Sequence, residues 1–101
     1  MVIRLFLSAV APGDVDEVIE LFRSDVVPAF RAHPDCLGIE LVMAEQPGVS
    51  GLVEGGAITR WKSIEAMEKA LTSPELVASQ ARVRKLLRRE PIRKVYRVLV
   101  S

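Results

Sequence analysis

Hydrophobic and polar residues alternate from position 2 to position 10. Ile3, Leu5, Leu7 and Ala9 fall on one face, and Val2, Arg4, Phe6 and Ser8 on the other, the period-2 signature of a β-strand. Pro12-Gly13 ends that run. The spacing then changes to threes and fours: Val15, Val18, Ile19, Phe22, Val26 and Phe30 form one stripe, the mark of an amphipathic helix with the stripe turned inward. Asp14 is placed to cap this helix, with Glu17 completing a capping box. Pro28 lacks an amide donor, which predicts a kink or brief break, with one further turn to about His33 before Pro34 closes the element.

Alternation returns over residues 37–45, with Leu37, Ile39, Leu41 and Met43 together, and residues 47–51 carry turn chemistry leading into a third strand. Gly55-Gly56 in that strand marks either a bulge or a close backbone approach. The strand runs Ala57-Ile58-Thr59-Arg60-Trp61 and turns at once into a helix capped by Ser63, with Ile64, Met67 and Leu71 inward. Ser73-Pro74-Glu75 is a second helix-start signal, so two helical segments are expected with a joint at residues 72–74, the second running to about Arg88. Pro91 stops it, and residues 92–100 form a last strand. The order β-α-β-β-α-β over a single domain, residues 1–101, predicts an α+β, ferredoxin-like fold with one four-stranded antiparallel sheet and helices on one face.

Two helices cover one face of such a sheet. Ile3, Leu5, Leu7, Val95 and Leu99 are the expected apolar set on the other. At ~1.5–3 kcal/mol per fully buried side chain the five represent roughly 8–15 kcal/mol, comparable to the ~5–15 kcal/mol net stability of a whole domain. That comparison predicts a homodimer packed through the sheet face. Composition agrees: half of the 101 residues are hydrophobic while five are aromatic, a rich apolar content for so small a chain.

A formal net charge of +1 conceals an asymmetry. Arg82, Arg84, Lys85, Arg88, Arg89, Arg93, Lys94 and Arg97 crowd one late stretch, with Glu90 the one acid among them. Without interleaved aromatics this reads as a solvated face or as ion pairs, and nucleic acid is not an expected partner. The opening apolar run is too short to span a bilayer and contains Arg4, so it reads as a strand and no membrane partner is expected. The single Cys36 has no disulfide partner within the chain, and with His33 it makes only two potential ligands. Neither a metal nor a bound cofactor is expected, and a reducing cytoplasm is the expected setting.

The junction Ile58-Thr59-Arg60-Trp61-Lys62-Ser63-Ile64-Glu65-Ala66, followed by Ser73-Pro74-Glu75, resembles the antibiotic biosynthesis monooxygenase (ABM) domain of the dimeric α+β barrel superfamily. Val27-Pro28-Ala29-Phe30 and His33-Pro34-Asp35-Cys36-Leu37-Gly38 share the resemblance. It implies a dimer closing into an α+β barrel, with a pocket between helices and sheet in each subunit. The implied activity is a cofactor-independent monooxygenase acting on an aromatic or quinol-type molecule, the alternative being a non-catalytic ligand-binding or structural module of the same fold. The anthrone-oxygenase pattern pairs the strand-end Trp with an Asn and a Tyr where this chain has Ala57 and Met67. The haem-degrading pattern falls on Phe6, Ala70 and Gln80 and is not retained, which disfavours that activity.

The expected pocket comprises Trp61, Phe6, Thr59, Ala57, Met67 and Tyr96, with the Trp61 indole as a stacking face for a small aromatic ligand. A lone Trp at a strand end is equally consistent with packing helix on sheet. Candidate catalytic side chains are His33, whose ordinary pKa lies near neutrality, Arg60 and Gln80. Each has an ordinary structural reading too: a helix-end group, a surface cation and a rim amide.

Overall fold

The structure, a computed structural model, describes residues 1–48 and 50–101; Val49, in the turn expected at 47–51, lies outside the described residues. Four strands, β1 (Val2–Val10), β2 (Cys36–Met43), β3 (Val53–Trp61) and β4 (Ile92–Arg97), form one sheet in the order β2-β3-β1-β4. All neighbours are antiparallel. The helices are α1 (Val15–Leu21), α2 (Val27–Arg31), α3 (Ile64–Leu71) and α4 (Pro74–Arg84). The fold is the expected α+β, ferredoxin-like one.

Register assigns the faces. Val2, Arg4 and Phe6 of β1 lie opposite Trp61, Thr59 and Ala57 of β3, and all six are buried, so this is the face the helices cover. Ile3, Leu5 and Leu7, opposite Arg60, Ile58 and Gly56, occupy the open face and are only half-buried. On β4, Val95 pairs with Arg4 and Tyr96 with Ile3. Val95 therefore leaves the expected open-face set, and Tyr96 and Ile92 replace it. Leu99 lies beyond the strand and is exposed.

The Gly55-Gly56 pair is a close approach, with no bulge in β3: a Cβ on Gly56 would run into the Phe6 carbonyl of β1. The irregularity in the sheet falls on β2, between Cys36 and Gly38.

Local capping explains several differences from the sequence reading. Asp14 makes no capping bond. It ends a short 3-10 turn, Pro12–Asp14, and its carboxylate faces Arg88 at 3.8 Å. The expected kink at Pro28 is displaced upstream into a π-helical turn, Phe22–Val26. Widening the turn relieves the clash between a proline ring and the carbonyl four residues before it, and Ser24 Oγ donates to the Glu20 carbonyl in the same stretch (2.8 Å). Ser63 does cap α3, accepting from the Ala66 amide at 3.1 Å. Helix α4 ends at Arg84, four residues before the expected Arg88, because the Arg88 amide donates to the Ala9 carbonyl at 2.8 Å and ties the chain to the end of β1.

Trp61 and Leu76 have no exposed surface. Around them pack Phe22, Val26, Phe30, Met67 and Val83, with the Phe30 and Trp61 rings tilted at 6.1 Å between centroids. No helix among the described residues is long and apolar enough to cross a membrane.

Candidate functional site

Beyond this core, toward the Val10 end of β1, the helices do not fill the sheet. A cavity of about 170 Å³ remains. Its floor is Phe6, Leu41 and Gly55, its roof Ile19 and Phe22, and Val83 and Leu87 close one side. Gly55 contributes no side chain where the register places it opposite Met43 and Ser8, which leaves depth in the floor. The wall is almost wholly carbon; Glu54 borders it, but its place in β3 opposite Ala9 puts its side chain with Leu7 and Ile58 on the open face, where it pairs with Arg89 at 3.2 Å. The volume is close to the ~150 Å³ of an apolar cavity known to admit benzene and below the ~300–1,000 Å³ of drug-sized pockets. It fits one ring.

Of the expected pocket residues, Phe6 lines this cavity, and Trp61, Thr59, Ala57 and Met67 do not. Those four are buried in the neighbouring core. The Trp61 indole N–H donates to Thr59 Oγ1 at 2.9 Å, so its polar atom is satisfied internally and its faces are occupied by packing. Tyr96 sits half-exposed on the open face, across from Ile3, and so points away from both cavity and Trp61. The space opens at the other end of the same face from Trp61, which packs helix on sheet.

The three candidate catalytic groups are not brought together. His33 lies after α2, its Nε2 3.4 Å from Ser73 Oγ. Arg60 pairs with Glu40 on the open face. Gln80 turns back on its own helix, Nε2 donating to the Leu76 carbonyl at 3.2 Å. None lines the cavity. His33 and Cys36 are linked only through backbone, the Cys36 amide donating to the His33 carbonyl at 3.0 Å. The Cys36 thiol is pushed above its ordinary pKa by burial, against smaller opposing effects of the Gly38 backbone and Arg31. No three His, Cys, Asp or Glu side chains converge among the described residues.

Residues 1–82 match the sequence pattern of the antibiotic biosynthesis monooxygenase family. The chain belongs to the ABM family. No curated protein matches the sequence. Among solved structures, Rv0793 from Mycobacterium tuberculosis is similar at 21% identity, covering 99% of this chain and 96% of that one, with a TM-score of 0.75. A protein described as an antibiotic biosynthesis monooxygenase reaches a TM-score of 0.78 at 17% identity, with 99% and 100% covered. SnoaB, a cofactor-independent oxygenase from Streptomyces nogalater, gives 0.73 at 15% identity, with 99% and 95% covered. At these identities the likeness is one of fold. Within that ABM fold, the cavity wall that sequence reading missed is Val10, Ile19, Phe22, Val83 and Leu87. Ile19 and Phe22 stand on the inward stripe of the first helix, but nothing in the sequence distinguishes a residue beside a void from one beside a neighbour.

Proposed function

We propose that the protein is a cytoplasmic homodimeric monooxygenase that binds a single-ring quinol in the cavity beside Phe6 and oxygenates it without a bound cofactor. The observation carrying this reading is the apolar cavity itself, the size of one ring and on the helix-covered face of an ABM fold. Its volume supports a monocyclic substrate over a tricyclic anthrone. The stoichiometry closes on the substrate alone: quinol plus O₂ gives hydroxyquinone plus water, one oxygen atom entering the ring and the quinol supplying all four electrons. The protein's part is to exclude water and orient the ring.

The near-absence of polar groups favours a second reading, a ligand-binding module without chemistry. Incubation with methylhydroquinone under ¹⁸O₂ separates the two. Label in the hydroxyquinone above the protein-free rate supports the enzyme; saturable binding with no label supports the module. Neither turnover nor binding defeats both. Dimerisation is part of the proposal, supported by the half-exposed open face of Ile3, Leu5, Leu7, Ile58 and Ile92.

A further inference from the structure

The late basic stretch divides into two groups. Arg82 pairs with Asp25, Arg88 with Asp14 and Arg89 with Glu54. Arg84 and Arg93 have no carboxylate within 4.0 Å among the described residues, and neither does Arg4. Arg4 is the unusual member. It sits on the helix-covered face of the central strand, is 8% exposed, and makes no side-chain hydrogen bond among the described residues.

A buried guanidinium without a counter-charge is costly, and chains bury one almost only with a partner. Here the surroundings are cationic. Arg93 is the cross-strand partner of Phe6 and lies diagonal to Arg4. The Arg4 and Arg93 guanidinium carbons stand 5.5 and 5.4 Å from the centroid of the Phe6 ring. Burial, then the charges of Arg93 and Arg84, lower the Arg4 pKa from its ordinary value, which places Arg84 in the same electrostatic neighbourhood.

We infer that Arg4 and Arg93 form a binding site for an oxyanion, a carboxylate or a phosphate, held against the ring of Phe6. Two guanidinium groups, diagonal neighbours on one face of the sheet and each within 5.5 Å of the same ring centroid, bring together the donors by which arginine takes these groups. Arg4 supplies donors that have no partner among the described residues and keep a little contact with water, and exposed Arg93 gives the anion access from solvent. The occupant neutralises the repulsion that the empty cluster carries. Because Phe6 also lines the cavity, the anion lies next to whatever occupies the cavity; the site nevertheless stands whether or not that molecule is oxidised.

The test is titration of the intact protein with sodium phosphate and, separately, sodium acetate, chloride being exchanged to hold ionic strength constant. Arginine Nε–H resonances are followed by NMR in the wild type, Arg93→Gln and Lys94→Gln. Lys94 also lacks a carboxylate partner but lies opposite Leu5 on the other face of the sheet, so it controls for general attraction. Saturable shifts of the Arg4 resonance, weakened about tenfold or more in Arg93→Gln and less than about twofold in Lys94→Gln, support the site. The anion that binds more tightly identifies phosphate or carboxylate as the group recognised. No saturable shift with either anion, or equal weakening in the two variants, overturns the inference.

Discussion

Replacing Arg4 by Met is expected to make the protein more stable. Arg4 is 8% exposed, and no carboxylate of the described residues neutralises it. Desolvating such a group costs several kcal/mol even after relaxation. One visible compensation is its position over Phe6 at 5.5 Å, worth ~0.5–2 kcal/mol. The packing of its aliphatic stem is a second, and Met retains most of it. Arg93 and Arg84 add repulsion. The balance is a gain of about 1–2 kcal/mol, at the low end of the ~1–4 kcal/mol found when buried ionic groups are replaced by apolar ones, because Arg4 keeps a little contact with water. For a domain of 101 residues that corresponds to a Tm rise of roughly 5–10 °C. Thermal and urea unfolding followed by Trp61 fluorescence measure it, at one fixed protein concentration because the stability of the proposed dimer would depend on concentration. A loss of about 1 kcal/mol or more would refute the reasoning and make Arg4 a structural tie between strands.

Three further outcomes follow from the geometry. Thr59→Val removes the acceptor of the buried Trp61 N–H and should cost ~1–3 kcal/mol in urea unfolding, the range for an orphaned buried donor. Ile58→Lys places a charge in the middle of the open face, opposite Leu5; light scattering at micromolar concentration should give a dimer mass for the wild type and a monomer mass for the variant. Cys36, its thiol pKa raised mainly by burial, should react with iodoacetamide more slowly at mildly alkaline pH in the folded protein than in urea. Since the folded state holds that proton more tightly, its contribution to stability is complete below the unfolded thiol's ordinary pKa and is lost as pH rises through the folded value.

Element order and strand alternation were legible because both are periodic: Val2, Arg4, Phe6 and Ser8 separate from Ile3, Leu5 and Leu7 without any knowledge of the fold. Ser63 was legible because capping is local, and the Ser73-Pro74 joint because proline suits a first helical turn; the structure splits α3 from α4 there, although Ser73 makes no capping bond and its Oγ donates to the Ala70 carbonyl at 2.7 Å. Whatever depended on a distant partner was not. Asp14 has capping chemistry, yet its carboxylate faces Arg88, 74 residues away. Val95 and Tyr96 changed faces because the register of β4 against β1 decides them, and a one-residue shift inverts every side chain. Arg4 was visible as a charge inside an apolar run, but its lack of a counter-ion is a property of three dimensions. Trp61, the most conspicuous residue in the chain, is core, and the cavity at the other end of the same face is an absence of atoms that no residue type announces.

The central claim, that ligand binds in the cavity beside Phe6 and not at Trp61, is tested most directly by titrating methylhydroquinone, anaerobically, into protein carrying ¹³C-labelled Ile, Leu and Val methyls and ¹⁵N-labelled indole. The account predicts saturable shifts at Val10, Ile19, Val83 and Leu87 with the Trp61 indole signal unmoved. Shifts centred on Trp61, or no saturable shift at the four methyl-bearing residues, would contradict it.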